Sequence, residues 1–264
     1  LRIQIRTAAP VEIVGPQRKV TPRSGLSRGM LVALALLPGT IVSYSTLYDI
    51  LWEQPPASAH ANIRTYISRL RDDIRRAGLA EHLRLTTIRS AGGGSGGGVM
   101  LGVEPEAVDL LKLRSLRSRA QRLVSVDPRQ ALAYCKIAAD LNIGGFGTDL
   151  PSTVWFETQR TWSTQLHLSM RLLGCRAQLT AGDLSEGFEE AKRLFQLQEC
   201  RQTWTLLIAG AYLAESPVQA LDLVDLCRRE YVGMGLDMPA TIQRLHLAVL
   251  NYDDDAILRL IAEP

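Results

Sequence analysis

Residues 58–76, Ser-Ala-His-Ala-Asn-Ile-Arg-Thr-Tyr-Ile-Ser-Arg-Leu-Arg-Asp-Asp-Ile-Arg-Arg, leave room for little except an amphipathic helix. Ile63, Ile67, Leu70 and Ile74 recur at spacings of four, three and four, which gathers them into one buried stripe. Pro55-Pro56 lead into the segment, and the Ser58 hydroxyl is expected to cap its first turn. At about 100° per residue, Ala61, Thr65, Ser68 and Arg69 fall on the face opposite the stripe, flanked by Arg64, Arg75 and Arg76. A dry back with a front of small polar groups and arginine fits a DNA major groove. Thr and Ser permit close approach, and Arg forks onto guanine O6/N7 or a phosphate. Most arginine-rich amphipathic helices are solvated surface helices, so the neighbouring sequence must decide.

Charge is distributed unevenly. The 264 residues carry a net charge of +3, but residues 1–90 hold 13 Lys/Arg against 6 Asp/Glu, while the remainder holds 17 against 21. A basic half joined to a mildly acidic half directs only the first half toward a polyanion. Apolar content of 46% supports a folded chain with a proper core.

Several function classes find no support. Cys135, Cys175, Cys200 and Cys227 lie far apart in helix-like segments, without a C-x-x-C pair or a Cys/His cluster. They read as small hydrophobes in helix interfaces of a reducing cytoplasm. His60, His82, His167 and His246 show no metal spacing either. The longest apolar run, 30–37, is too short to span a bilayer, and no signal peptide precedes it, so no membrane partner is expected. The glycine tract at 92–98 lacks the Gly-Lys-Ser/Thr ending of a phosphate loop, and no helix follows it. With no nucleophile–base pairing, paired acids, metal cluster or cofactor loop, an enzyme is not expected and no cofactor is implied.

Along the chain, alternation at 1–20 with a Gly15-Pro16 turn predicts a small antiparallel sheet. A buried helix follows over 24–37, then a short strand at Ile41-Val42 and a second helix capped by Ser45 and running through Trp52. After the loop 53–57 comes the arginine-faced helix, then strands at 83–89 and 99–103 around the glycine tract. A sheet, three helices and a terminal hairpin make a winged helix-turn-helix, with the third helix as reader and the hairpin as wing. Arg84 and Arg89 on the first wing strand would face phosphates. From Val108 onward, helical periodicity near 108–125, 129–142, 153–181, 184–198, 201–215, 218–232 and 239–250 predicts tetratricopeptide-like stacking. The expected organisation is thus an α+β winged domain over 1–104 followed by an all-α repeat domain over 105–264. Residues 255–264 read as the start of a further helix, which would suit a chain that continues.

The sequence also resembles a known family. Trp52-Glu53-Gln54-Pro55-Pro56-Ala57-Ser58-Ala59 and Ile63-Arg64-Thr65-Tyr66-Ile67-Ser68-Arg69-Leu70-Arg71 are similar to the DNA-binding domain of the SARP transcription activators, the OmpR-like regulators of antibiotic gene clusters. Trp155-Phe156-Glu157-Thr158-Gln159-Arg160, Ala220 to Leu223, Cys227-Arg228-Arg229 and Gly235 to Pro239 resemble their bacterial transcriptional activation domain. The glycine tract departs from the short, aromatic-ended wing usual there. The resemblance implies a reader helix in the major groove of double-stranded DNA, on direct repeats about one helical turn apart. It also implies side-by-side homodimers, and contact of Glu53, Gln54, Pro55, Pro56 and Ala57 with RNA polymerase, including its sigma factor. Localisation would be cytoplasmic, on the nucleoid.

Within that frame Arg64, Thr65 and Ser68 are expected at base edges, and Arg69 at a base or phosphate. Arg71, Arg75, Arg76 and Arg89 are expected at phosphates, with a purely structural role for Arg71 equally open; Arg28 is a lesser phosphate candidate. Trp52 is expected to anchor the loop beneath the polymerase-facing residues. Trp155 and Arg160 are expected to form a structural pair, and Asp253-Asp254-Asp255 to be a solvated helix start rather than a metal site. The competing reading is a repeat scaffold whose winged domain makes only protein contacts. A small-molecule site on the helical surface also stays open.

Overall fold

Short alternating segments at the N-terminus pair as expected in the computed structural model, which describes residues 2–88, 97–141 and 145–263. Strands β1 (Ile5–Arg6), β2 (Glu12–Val14) and β3 (Lys19–Val20) form an antiparallel sheet in that order, with Ile5 opposite Ile13 and Ile13 opposite Val20. The period of two puts Ile5, Ile13 and Val20 on the buried face. Helix α1 (Gly25–Ala35) starts at Ser24, whose Oγ accepts the Ser27 N–H, and buries every residue from Met30 to Ala35. Strand β4 (Val42–Ser43) leads into α2 (Tyr44–Leu51), and α3 (Ala59–Arg76) follows. Strands β5 (Arg84–Ile88) and β6 (Gly98–Gly102) close a second antiparallel sheet of order β4-β6-β5. A Cβ on Gly98 would lie 2.7 Å from the Val42 carbonyl oxygen, so only glycine lets β6 approach β4 there.

Two caps differ from expectation. Ser43, not Ser45, caps α2: its Oγ accepts the Thr46 N–H at 3.0 Å because Ser43 holds the extended backbone an N-cap needs. Ser58 sits at the start of α3 with ψ near 3°, so its hydroxyl cannot reach back to the first-turn amides. It accepts the Asn62 side-chain amide at 3.2 Å instead.

The helical remainder comprises α4 (Asp109–Leu123), α5 (Pro128–Asp140), α6 (Val154–Ala181), α7 (Leu184–Leu197), α8 (Arg201–Ala214), α9 (Pro217–Gly233), α10 (Ala240–Leu250) and α11 (Asp254–Ala262). The Asp253 carboxylate caps α11 by accepting the Ala256 N–H at 2.9 Å, so this acidic run is a helix start. No helix among the described residues is long and apolar enough to cross a membrane.

Packing divides the chain into two compact units. The first joins 1–115 to 141–166. In it the buried Asp109 carboxylate accepts the Thr7 N–H at 2.9 Å and its hydroxyl at 2.7 Å, and the Thr153 hydroxyl donates to the Ile50 carbonyl at 2.7 Å. Burial raises the Asp109 pKa, with the Thr7 bonds working against the rise. Phe156, fully buried, lies against Gly29, where a Cβ would come within 3.1 Å of its ring. The expected Trp155–Arg160 pair is replaced by two separate fixtures. Trp155 meets Phe156 edge-on at 4.8 Å, while Arg160 donates to the carbonyls of Gly147, Leu150 and Pro151 and pairs with Glu157 at 2.6 Å. Successive helical positions turn by about 100°, which separates residues five apart into different surroundings.

The second unit joins 116–140 to 167–264 and stacks consecutive helices, α7 on α8, α8 on α9 and α10 on α11. Trp204, 1% exposed, anchors its core, with Phe195 edge-on at 4.5 Å and its ring N–H donating to Glu199 at 3.1 Å. All four cysteines are free thiols. Burial pushes the Cys175 thiol up to about 12 and those of Cys135 and Cys227 to about 11. In native protein at pH 8, iodoacetamide should therefore modify half-exposed Cys200 first and leave Cys175 and Cys227 untouched until denaturant is added. Peptide mass spectrometry checks this, and early labelling of Cys175 would contradict the packing.

Candidate nucleic-acid interface

The buried stripe of α3 is realised as the spacing demands. Ile63, Ile67, Leu70 and Ile74 are between 0% and 3% exposed, and α1 packs on this helix. Each fully buried aliphatic chain contributes roughly 1.5–3 kcal/mol, which fixes the rotation of α3 about its axis. The opposite face is then determined: Ala61, Arg64, Thr65, Ser68 and Arg69 are all exposed. Arg64 and Arg69 form no ion pair among the described residues. The Thr65 hydroxyl donates to the Ala61 carbonyl at 3.0 Å, leaving its oxygen lone pairs outward.

The other expected arginines are engaged to different degrees. Arg75 pairs with Asp72 at 2.9 Å but stays 69% exposed, and Arg76 pairs with Asp73 while remaining 47% exposed. Asp73 itself is buried, so Arg76 supplies the countercharge that a desolvated carboxylate requires. Arg71 resolves its two open readings toward structure. Its guanidinium donates to the Leu85 carbonyl at 3.2 and 3.1 Å and to the Thr87 hydroxyl at 2.8 Å, tying α3 to the wing strand β5. Arg28 departs from its expected phosphate role. It pairs with Asp149 at 2.7 Å and donates to the carbonyls of Pro22 and Asp149, so its donors are consumed inside the first unit. Arg84 is exposed on β5, whereas Arg89 and residues 92–96 of the glycine tract lie outside the described residues.

An aromatic cluster that the sequence reading missed holds α2 against α3. Trp52 stacks on Tyr66 at 6.5 Å with the rings 29° apart, Tyr44 meets His60 edge-on at 5.0 Å, and the Tyr48 hydroxyl shares a hydrogen bond of 3.0 Å with His60 Nδ1. Part of the signal was present: Tyr44 and Tyr48 lie four residues apart on one face of α2, and Trp52 follows as its extended C-cap. Half-buried Trp52 thereby anchors the exposed loop 53–57 beside the start of α3. Among the described residues no group of His, Cys, Asp or Glu is arranged to hold a metal ion.

Comparison with known proteins bears on this arrangement. Residues 22–92 match the family described as transcriptional regulatory protein, C terminal, and residues 108–250 match the bacterial transcriptional activator domain. The chain is 27% identical to the regulatory protein DnrI of Streptomyces peucetius, covering 95% of this chain and 93% of DnrI. It is 28% identical to the regulatory protein AfsR of Streptomyces coelicolor over 86% of this chain, but it spans only 22% of that relative. The structure of Mycobacterium tuberculosis EmbR in complex with a low affinity phosphopeptide is 21% identical and aligns with a TM-score of 0.82 over 99% of this chain and 69% of that one. At that identity it supports the fold alone: a winged helix followed by a helical domain. The matched families are transcriptional regulators, not enzymes.

Arg28→Ala and Arg71→Ala should each lower the unfolding free energy by about 1–3 kcal/mol, through lost charge-assisted hydrogen bonds. Neither should alter the salt dependence of DNA binding. Urea unfolding and a salt titration check the two halves; a reduced salt slope for Arg71→Ala would restore it as a phosphate contact.

Proposed function

We propose that this chain, which belongs to the SARP family of transcriptional regulators, is a sequence-specific activator that reads direct repeats upstream of promoters, in an antibiotic or other secondary-metabolite gene cluster. The observation that carries the reading is the outward face of α3, where Arg64, Thr65, Ser68 and Arg69 stand together on a helix locked from behind. Arg64 and Arg69 have the reach and the free donors for guanine edges, while Thr65 and Ser68 keep the helix close to the groove floor. Arg75 and Arg76 act at phosphates, since their exposure leaves donors beyond those shared with Asp72 and Asp73. Arg89 is assigned the same role from its place in the sequence.

Two protomers would lie side by side on repeats about 10–11 base pairs apart, facing one side of the duplex. The exposed loop Glu53, Gln54, Pro55, Pro56 and Ala57, anchored by Trp52, offers RNA polymerase and its sigma factor a fixed surface next to the bound DNA. The domain from 105 onward supports dimerisation and polymerase contact.

Selection of bound duplexes from a random library, run in parallel with Arg69→Ala, tests the proposal. Direct repeats at that spacing should be enriched, and the variant should lose about 1–3 kcal/mol of discrimination at one base position. Absence of enrichment and of binding even at low salt would sink the DNA-reading role and favour a repeat scaffold that makes only protein contacts.

A further inference from the structure

In the second unit, residues of α6, α8, α10, α11 and the Glu263 that follows line an open-mouthed pocket of about 40 Å3. Arg176 lines it and is only 7% exposed, yet among the described residues its guanidinium has neither an ion-pair partner nor a hydrogen bond. Glu263 also borders the pocket, but its carboxylate oxygens are engaged by Arg244 at 3.3 and 2.8 Å. Burial lowers the Arg176 pKa, and the like charge of Arg201 adds to the effect. A guanidinium does not surrender its proton in a protein, and this one, largely withdrawn from water with its nitrogens open only toward the pocket and no counterion beside it, favours an anion there.

The remaining walls suit that demand. Arg201 and Gln202 are the first two residues of α8, where the positive end of the helix dipole lies. Gln202 and Thr241 bring an amide and a hydroxyl with no protein partner among the described residues. Thr205 adds no donor, because its hydroxyl proton goes to the Arg201 carbonyl at 2.8 Å. The volume accommodates about three waters, or one tetrahedral oxyanion.

We propose that the Arg176–Arg201 pocket binds a phosphate-class oxyanion, either free phosphate or the phosphoryl group of a small monoester whose organic body stays outside. The ligand bridges α6 to the start of α8 and replaces the missing countercharge. Occupancy stabilises the helical unit by mass action, independently of the α3 face.

Calorimetric titration with inorganic phosphate at ionic strength held constant with chloride tests this. Saturable binding of one phosphate per chain is expected, weakened about tenfold or more by Arg201→Gln and Arg176→Gln, and unchanged by Arg69→Ala. Arg201 is exposed, so its variant keeps the fold and carries the test should Arg176→Gln fail to accumulate. A parallel titration with glycerol phosphate separates the sources: tighter binding of the monoester assigns an organic phosphate, and tighter binding of inorganic phosphate assigns the free ion. No saturable binding up to about 10 mM, or binding that Arg201→Gln leaves intact, overturns the proposal. Loss of phosphate binding in Arg69→Ala would likewise refute it, since the ion would then sit on the α3 face.

Discussion

Burial of one side of α3 governs the first unit. Ile63, Ile67, Leu70 and Ile74 enter the core nearly without solvent exposure, and Tyr66 adds an aromatic contact to Trp52 on the preceding loop. A helix anchored through a stripe about 100° wide has a single favourable rotation. Its polar side is therefore displayed in a fixed direction without any contact of its own. A recognition surface needs that property, since base edges are read by side chains whose starting positions are set in advance.

Arginine count alone says little about which cations reach a polyanion. Arg28, Arg71 and Arg160 resemble Arg64 and Arg69 in sequence, but they are turned inward to backbone carbonyls of the same unit. The planar guanidinium suits this work because one group can satisfy several carbonyls that the loops leave unpaired. Arg76 is intermediate, sharing its charge with the buried Asp73 while half-exposed. Arg176 is the reverse case, largely buried with no side-chain partner among the described residues, and this separates it from the structural arginines around it.

The two units use burial differently. In the first, short strands and helices are held by side chains that bond across long stretches of sequence, such as Asp109 to Thr7 and Arg28 to Asp149. The second relies on consecutive helices stacking around Trp204, with thiols serving as small apolar fillers whose raised pKa values record a dry setting. The segment 141–166 packs with the first unit although it lies within the helical half of the sequence. No periodicity announces that, because period reports which face of an element is buried and not what it is buried against.

The order of the elements, the buried stripe of α3 and its outward Arg64, Thr65, Ser68 and Arg69 follow from the sequence by itself, since amphipathic period and turn residues are local properties. The choice between Ser43 and Ser45 as a cap, the inward turn of Arg28 and Arg71, the α3 partners His60 and Tyr66 that the aromatics of 44–52 meet, and the burial of Arg176 without a partner among the described residues were decided only by the tertiary structure. Each depends on which carbonyl, ring or carboxylate arrives from a distant part of the chain. A cation's role is set by the partner that reaches it first, and spacing along the sequence does not carry that information.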